Sequence, residues 1–189
     1  MTFQEYKDYF QEILHQPAPS APYDNPDYLN YTKLNWSRMN RWLKTGHLDE
    51  KIKSIVATIN YKQNWIVITE PWCGDAAHIV PFIEMIGQLN NNISISYELR
   101  DSEPHRIEKY LTNGKSKSIP KLIIRNQSEN DLAVWGPRPA ACQKVYDELL
   151  AKNADFDTVK TELQLWYNKD EGKEILLELS ALLNTTLEN

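Results

Sequence analysis

Hydrophobic residues recur every three to four positions over the first fifteen residues, which is the spacing of one buried helical face. Thr2 and Glu5 stand at the spacing of a capping box, so we expect a helix that begins there and ends near His15. This helical spacing is lost over residues 16–33, which contain several prolines and tyrosines. Because proline fixes φ and lacks an amide hydrogen, this stretch is predicted to be an extended loop.

After the loop, the helical spacing returns and then changes to that of a strand. A helix is predicted over residues 36–46, ending at Gly46, and another over residues 52–59 with Asp49 as its cap. Residues 64–69 form a continuous apolar run rich in β-branched side chains. Such a run is typical of a strand that is buried on both faces.

The rest of the chain alternates between strand and helix patterns. The predicted elements are a helix over 76–89, a strand over 93–99, a helix over 102–114, a hairpin of strands 121–125 and 132–135, and helices over 140–152, 156–167 and 171–183. A right-handed crossover makes the first two strands parallel, and the hairpin adds antiparallel strands beside them. The order βαβ–α–ββ–α therefore predicts an α/β fold with a mixed sheet.

The composition excludes several classes of function. The chain has 189 residues and 21 Lys and Arg against 26 Asp and Glu, a net charge of −5. A mildly acidic chain without a basic block is a poor nucleic-acid binder, because that binding depends on neutralising phosphates. No uncharged apolar run is long enough to cross a membrane, and residues 1–11 lack the apolar core of a signal peptide. We therefore expect a cytoplasmic protein that binds neither nucleic acid nor membrane.

Cys73 is the leading candidate for chemistry because it lies at the junction of the buried strand and the following helix. Unpaired amide groups and the positive end of the helix dipole favour a thiolate at such a position. Glu70 and Asp75 lie nearby and oppose this effect, because carboxylates raise the pKa of a neighbouring thiol. The sequence leaves the net sign of the pKa shift open. The position of Cys73 at the helix start favours a reactive thiol over an inert, buried cysteine.

Several motifs around Cys73 resemble, in the same order, those of the thioredoxin family. In that family a tryptophan precedes the nucleophilic cysteine, as Trp72 does here, and a proline eight residues later kinks the helix, as Pro81 would. Pro120, which opens a strand, corresponds to the cis-proline that lies beside the cysteine in that family. The resemblance covers residues 64–152 and implies a thioredoxin-like fold.

The resemblance also divides the chain into three parts. Residues 64–152 are expected to form a thioredoxin-like domain. Residues 1–63 would be a helical N-terminal extension with a Pro-rich loop, and residues 153–189 a helical C-terminal extension packed on the same domain. The segment Trp-Cys-Gly-Asp-Ala is similar to a bacterial branch of the family in which this segment replaces the Cys-x-x-Cys site.

Ala76 occupies the position of the second cysteine of the family. Without a neighbouring thiol, Cys73 can attack a disulfide but cannot release the resulting mixed disulfide by itself. We therefore expect a monothiol thiol–disulfide oxidoreductase that acts on mixed or protein disulfides and needs no cofactor. A low-molecular-weight thiol or a partner cysteine would complete the turnover. The alternative is a redox-inactive module that binds a protein or peptide in the same groove.

The resemblance implies supporting roles for residues around this groove. Trp72 and the Ile119–Pro120 pair would frame it, Gly74 would leave room for close approach, and Gly136 would border it. The backbone of Ile119 would pair with an extended substrate, as an added strand pairs with a sheet edge. Trp72 is equally well explained as one of six packing tryptophans.

Three further residues have structural explanations that compete with functional ones. Asp75 could assist proton transfer, but a carboxylate in a first helical turn also simply stabilises the helix dipole. Cys142 is a candidate resolving thiol, although it shares an apolar helix face that favours burial. His78 is expected to be a solvated helix residue. The histidines and cysteines show no ligand spacing, so no metal site is expected.

Overall fold

The computed structural model describes residues 1–187. The elements follow in the order α1 (Phe3–His15), α2 (Pro26–Thr45), α3 (Glu50–Ala57), β1 (Gln63–Thr69), α4 (Gly74–Gly87), β2 (Ile93–Leu99), β3 (Lys121–Asn126), β4 (Asp131–Trp135), α5 (Ala140–Ala151), α6 (Phe156–Asp170) and α7 (Lys173–Leu187). A short 3₁₀ turn, Arg106–Lys109, lies between β2 and β3. Within the described range, no helix combines the length and the apolar character needed to cross a membrane.

The strands form a mixed sheet in the order β2–β1–β3–β4. β1 runs parallel to β2, with Val67 opposite Tyr97, and antiparallel to β3, with Val67 opposite Leu122. β4 continues the sheet antiparallel to β3. The predicted parallel pair and the predicted antiparallel hairpin are both confirmed.

The central strand β1 is buried on both faces, as its apolar run predicts. Successive side chains of a strand point to opposite faces of the sheet. Val67 and Ile68 are nevertheless both almost fully buried, so both faces are covered. Burying each such side chain stabilises the fold by about 1.5–3 kcal/mol. This firmly held strand ends at Thr69 and thereby positions the turn that leads to Cys73.

The predicted loop over residues 16–33 is wrong in its second half, because α2 begins at Pro26. Proline is accommodated at the first position of a helix, where its missing N–H would have no intrahelical partner. The side chain of Asn25 caps the helix by accepting a hydrogen bond from the Asp27 N–H at 2.8 Å. Tyr31 consequently lies on a helix, which fixes the direction of its side chain.

The predicted helix over residues 102–114 is also wrong, because only one 3₁₀ turn forms there. His105 adopts a left-handed conformation with φ of 51° directly before the turn. Ile107 is the one fully buried residue of the segment, so a longer helix has no apolar face to stabilise it. The Tyr110 hydroxyl instead donates a hydrogen bond to Asp131 of β4 at 2.7 Å.

The helices on either side of the sheet region pack onto it. α1 lies against β2, where the rings of Tyr6 and Tyr97 stack with centroids 5.7 Å apart. α2 and α6 contact α4, and α7 contacts α3 and β4. The architecture is thus a thioredoxin-like α/β fold with helical extensions at both ends, and the predicted fold class is confirmed.

Candidate active site

Cys73 is the N-cap of α4, directly after the turn that follows β1. Its backbone N–H donates to the Glu70 carbonyl at 3.0 Å, which closes the turn. Its sulfur accepts a hydrogen bond from the Ala76 N–H at 3.4 Å, so the thiol takes the place that a hydroxyl or carboxylate usually has at this position. The buried strand and the helix start therefore place the sulfur where the sequence predicted it.

The sulfur of Cys73 also contacts the loop that opens β3. Its S–H donates to the Ile119 carbonyl oxygen at 3.3 Å, and the Ile119–Pro120 peptide bond is cis. Gly136 packs against the other side of this loop, where an added Cβ would lie only 2.3 Å from the Pro120 carbonyl oxygen. Gly136 also has φ of 111°, a conformation that favours glycine. The structure thus brings these four residues together.

Burial, assisted by the Asp75 carboxylate, raises the pKa of the Cys73 thiol to about 12. Cys73 is only 7% exposed, so a thiolate at its sulfur loses most of its hydration. The Ala76 N–H and the Arg138 guanidinium act in the opposite direction without compensating. At this helix start, desolvation therefore outweighs the dipole, and the resting thiol is neutral.

A cavity of about 450 Å³ lies beside Cys73. Its wall combines the predicted site residues Trp72, Cys73, Gly74, Asp75 and Ile119 with side chains from α2 and α6 that the sequence reasoning did not assign to the site. The contributions of the two helices are Asp27, Tyr28, Tyr31, Phe156, Val159, Lys160, Leu163, Gln164 and Tyr167. Both extensions therefore take part in forming the cavity.

Gly136 and Pro120 are not among the described residues that line the cavity, and the expectation that Gly136 borders the groove stays a prediction. Gly136 packs closely on the Pro120 carbonyl, which leaves no space for a ligand between these two residues. Arg138, two residues further along the chain, lines the cavity instead.

Gly74 leaves room for the close approach of a side chain from α2. An added Cβ at this position would lie 2.4 Å from the hydroxyl oxygen of Tyr31. The Tyr31 side chain of α2 thus occupies part of the space that Gly74 leaves open, and Gly74 also lines the cavity. The absence of a side chain at residue 74 allows α2 to close over the start of α4.

Trp72 is half-buried in the cavity wall. The guanidinium of Arg100 lies 4.5 Å from the centroid of its ring, and Tyr28 meets the ring edge to face at 6.3 Å. Cation–π contacts of this kind are typically worth about 0.5–2 kcal/mol. Trp72 thus both packs against α2 and presents a surface to the cavity.

Both carboxylate oxygens of Asp75 are engaged. Arg138 donates to one oxygen and the Tyr167 hydroxyl to the other, each at 2.6 Å. The Asp75 and Arg138 side chains are 11% and 13% exposed, so the ion pair is largely removed from water. This network connects the start of α4 to the loop after β4 and to α6. It supports the structural role of Asp75 over proton transfer.

The expectation that His78 is solvated is wrong, because the residue is 2% exposed. The Trp42 indole N–H donates to Nδ1 at 2.8 Å, and since indole can only donate, Nε2 carries the ring hydrogen and donates to Gln164 at 2.9 Å. The ring stacks on Tyr167 at 4.4 Å. Burial lowers the pKa of His78 to about 3, so the ring is neutral. The nearly continuous apolar sequence of α4 is the signal that could have indicated this burial.

Cys142 is fully buried in α5, and it is not among the described residues that line the cavity. Burial raises its pKa to about 12, and it forms no disulfide with Cys73. Its packing agrees with the structural explanation given above. Within residues 1–187, no group of three or more His, Cys, Asp or Glu side chains is arranged to hold a metal ion.

Comparisons with known proteins agree with the architecture. A family model described as "Thioredoxin" matches residues 22–152. An HIV epitope-scaffold is similar in structure, with a TM-score of 0.57, 15% identity, and coverage of 97% of this chain and 98% of that chain. A protein of unknown function from Pseudomonas aeruginosa has a TM-score of 0.50 at 17% identity, covering 92% and 99%. No curated protein matches the chain. At these identities the two structures support the fold alone.

Proposed function

The chain belongs to the thioredoxin family, and from this premise we propose that Cys73 performs thiol–disulfide exchange as a single thiol. The observation that carries the proposal is the position of its sulfur. The sulfur lies 3.3 Å from the Ile119 carbonyl, next to Pro120, and on the wall of a cavity large enough for a small molecule. A small disulfide bound in this cavity would lie beside the sulfur.

The proposed exchange has two steps. The thiolate of Cys73 attacks one sulfur of a bound disulfide, the bond between the two substrate sulfurs breaks, and the leaving thiolate takes up a proton. A second thiol then attacks the mixed disulfide and restores the Cys73 thiol, with the first substrate half leaving in a new disulfide. An external low-molecular-weight thiol or a partner cysteine has to supply this second step, because Ala76 carries no sulfur.

The raised pKa limits the rate of this exchange without preventing it. A pKa of about 12 in place of the usual 9.0 lowers the thiolate fraction at neutral pH about 10³-fold. A more basic thiolate is the better nucleophile, which restores roughly a factor of 20. Holding the disulfide beside the sulfur counteracts the remaining deficit of about 50-fold, because well-oriented reacting groups reach effective concentrations of about 10⁵ M. Exchange is therefore favoured for a bound disulfide over one in free solution.

The test is the formation of a mixed disulfide with 2-hydroxyethyl disulfide, followed by mass spectrometry of the folded protein. We expect one adduct on Cys73, absent from Cys73→Ser and retained in the matched control Cys142→Ser. An adduct that forms only after denaturation, or only on Cys142, would contradict the proposal.

A second candidate function is a redox-inactive binding module that uses the same cavity. The neutral resting state of Cys73 favours it, since a thiol that donates to the Ile119 carbonyl can act simply as a polar wall group. In that case Cys73→Ala would retain ligand binding, and the folded wild type would not react with the disulfide.

A further inference from the structure

We infer that the cavity beside Cys73 selects small disulfides bearing carboxylate groups and excludes protein disulfides. This inference rests on the proposed exchange function and names its substrate class. Two independent features carry it: the way in which α2 and α6 cover the sulfur, and the charge of the residues that line the cavity.

The first feature is the cover formed by the two extension helices. The Tyr31 hydroxyl of α2 packs on Gly74, while Val159 and Tyr167 of α6 are buried residues of the cavity wall. Ile119 is only 5% exposed, and its carbonyl already accepts the Cys73 hydrogen. An extended peptide therefore cannot pair with this backbone without displacing the helices. A cavity of about 450 Å³ suits a small molecule.

The second feature is an excess of cations over carboxylates in the lining. The cationic residues are Arg100, Lys117, Arg138 and Lys160, and the acidic ones are Asp27 and Asp75. Asp75 is already bound by Arg138 and Tyr167. The other three cations have ion-pair partners outside the lining, namely Asp101, Glu108 and Asp157. A cleft lined mainly by one sign of charge concentrates ligands of the opposite sign.

Arg138 is held in the cavity wall by its own hydrogen bonds. Its terminal nitrogens bind Asp75 and Gln143, at 2.6 and 3.0 Å. Its Nε is buried and has no hydrogen-bond partner among residues 1–187. Arg138 therefore contributes its positive charge to the cavity wall, while its N–H groups are engaged or shielded from the cavity. A carboxylate is the acceptor that guanidinium groups bind most strongly.

The experiment compares three disulfides of similar size and different charge: 3,3′-dithiodipropionate (anionic), 2-hydroxyethyl disulfide (neutral) and cystamine (cationic). The rate of Cys73 adduct formation with each is divided by its rate with free N-acetylcysteinamide, which removes differences in intrinsic reactivity. We expect the anionic probe to exceed the cationic one by at least about tenfold at low ionic strength, and salt to reduce this ratio.

Matched variants locate the source of the selectivity. Lys160→Gln and Arg100→Gln should each reduce the anion-to-cation ratio several-fold, while Lys51→Gln on α3, outside the lining, should leave it unchanged. Insulin, as a protein disulfide, should react with Cys73 far more slowly than the neutral small probe after the same normalisation.

The outcomes separate the two proposals. If the neutral probe forms no adduct with Cys73 in the folded protein, the exchange function itself fails. If the neutral probe reacts but the three normalised rates are equal, exchange stands and the inference about anionic substrates is overturned. A normalised insulin rate equal to that of the small probes would overturn the exclusion of protein disulfides.

Discussion

At the scale of single residues, the protonation state of the Cys73 thiol depends on a competition between burial and local dipoles. The Ala76 N–H and Arg138 favour a thiolate at Cys73, but desolvation and the Asp75 carboxylate favour the thiol more strongly. Glu70 follows the same rule, since burial raises its pKa to about 7. Burial thus raises the pKa of both groups, because it penalises their charged forms.

Asp75→Asn should make Cys73 more reactive. The substitution removes the carboxylate that raises the thiol pKa and leaves Arg138 uncompensated, and both changes lower the pKa of Cys73. A decrease of one unit in the thiol pKa raises the thiolate fraction at pH 8 about tenfold, and the lower nucleophilicity of that thiolate leaves alkylation about threefold faster. Iodoacetamide kinetics measures this, with Asp24→Asn on the exposed loop as the control. An unchanged or slower rate in Asp75→Asn would show that this carboxylate does not control the thiol.

His78 should make stability depend on pH in the acidic range. Its pKa is lowered by burial from 6.5 to about 3, so the unfolded chain takes up a proton between these values and the folded chain does not. The contribution of His78 to the free energy of unfolding is fully present above pH 6.5. It falls by up to about 1.4 kcal/mol for each pH unit of acidification below that value. The contribution of Glu70 to the free energy of unfolding changes in the opposite direction: it decreases as the pH rises from 4.5 to 7, because the pKa of Glu70 is raised in the folded state.

The contribution of His78 is therefore measured as a difference between proteins. Urea unfolding at pH 4.5 to 7 should show that the stability of the wild type relative to His78→Gln decreases as the pH falls. Parallel pH profiles of the two proteins would mean that His78 is protonated equally in the folded and unfolded states.

At the scale of elements, the cavity depends on how α2 and α6 approach the start of α4. Asn35 of α2 donates to the Pro71 carbonyl at 3.0 Å, directly before the Trp72–Cys73 pair. Tyr167 of α6 binds Asp75 and stacks on His78. These hydrogen bonds and the ring stacking hold both helices in position over the sulfur.

Gly74→Ala tests the approach of α2. The added Cβ would lie 2.4 Å from the Tyr31 hydroxyl, so we expect a loss of about 1–3 kcal/mol in the free energy of unfolding. Tyr31→Phe removes the clashing oxygen, and the cost of Gly74→Ala should be smaller in that background. A double-mutant cycle by urea denaturation measures the coupling. Additive costs would indicate that the two residues do not meet.

At the scale of the whole molecule, the chain surrounds its central strand and its thiol with helices from both ends. The family match begins at residue 22 and so includes α2, while α6 lies beyond its end at residue 152. Access to Cys73 should therefore depend on segments outside the sheet region. This dependence is open to test through a contact that joins α6 to the site.

Tyr167→Phe removes the hydrogen bond from α6 to Asp75 and keeps the ring that stacks on His78. Losing the partner of a buried carboxylate should lower the free energy of unfolding by about 1–3 kcal/mol. Looser attachment of α6 should also speed alkylation of Cys73. Tyr146→Phe is the control, because its ring contacts Arg138 through the face and not through the hydroxyl. Equal alkylation rates in both variants would argue against α6 as the cover of the thiol.

The amino-acid sequence by itself determined the order of the four strands and of the helices other than the one expected over residues 102–114, the burial of β1 and the position of Cys73 at the start of α4. These features follow from local periodicity and from cap chemistry, which neighbouring residues decide. Only the tertiary structure decided that α2 and α6 close over the sulfur, that His78 is buried and that Asp75 is held by Arg138 and Tyr167. Those contacts join residues separated by 36 to 92 positions, so their energies appear only when the elements pack together. The neutral state of the thiol is one of their consequences, because desolvation depends on everything that surrounds a group.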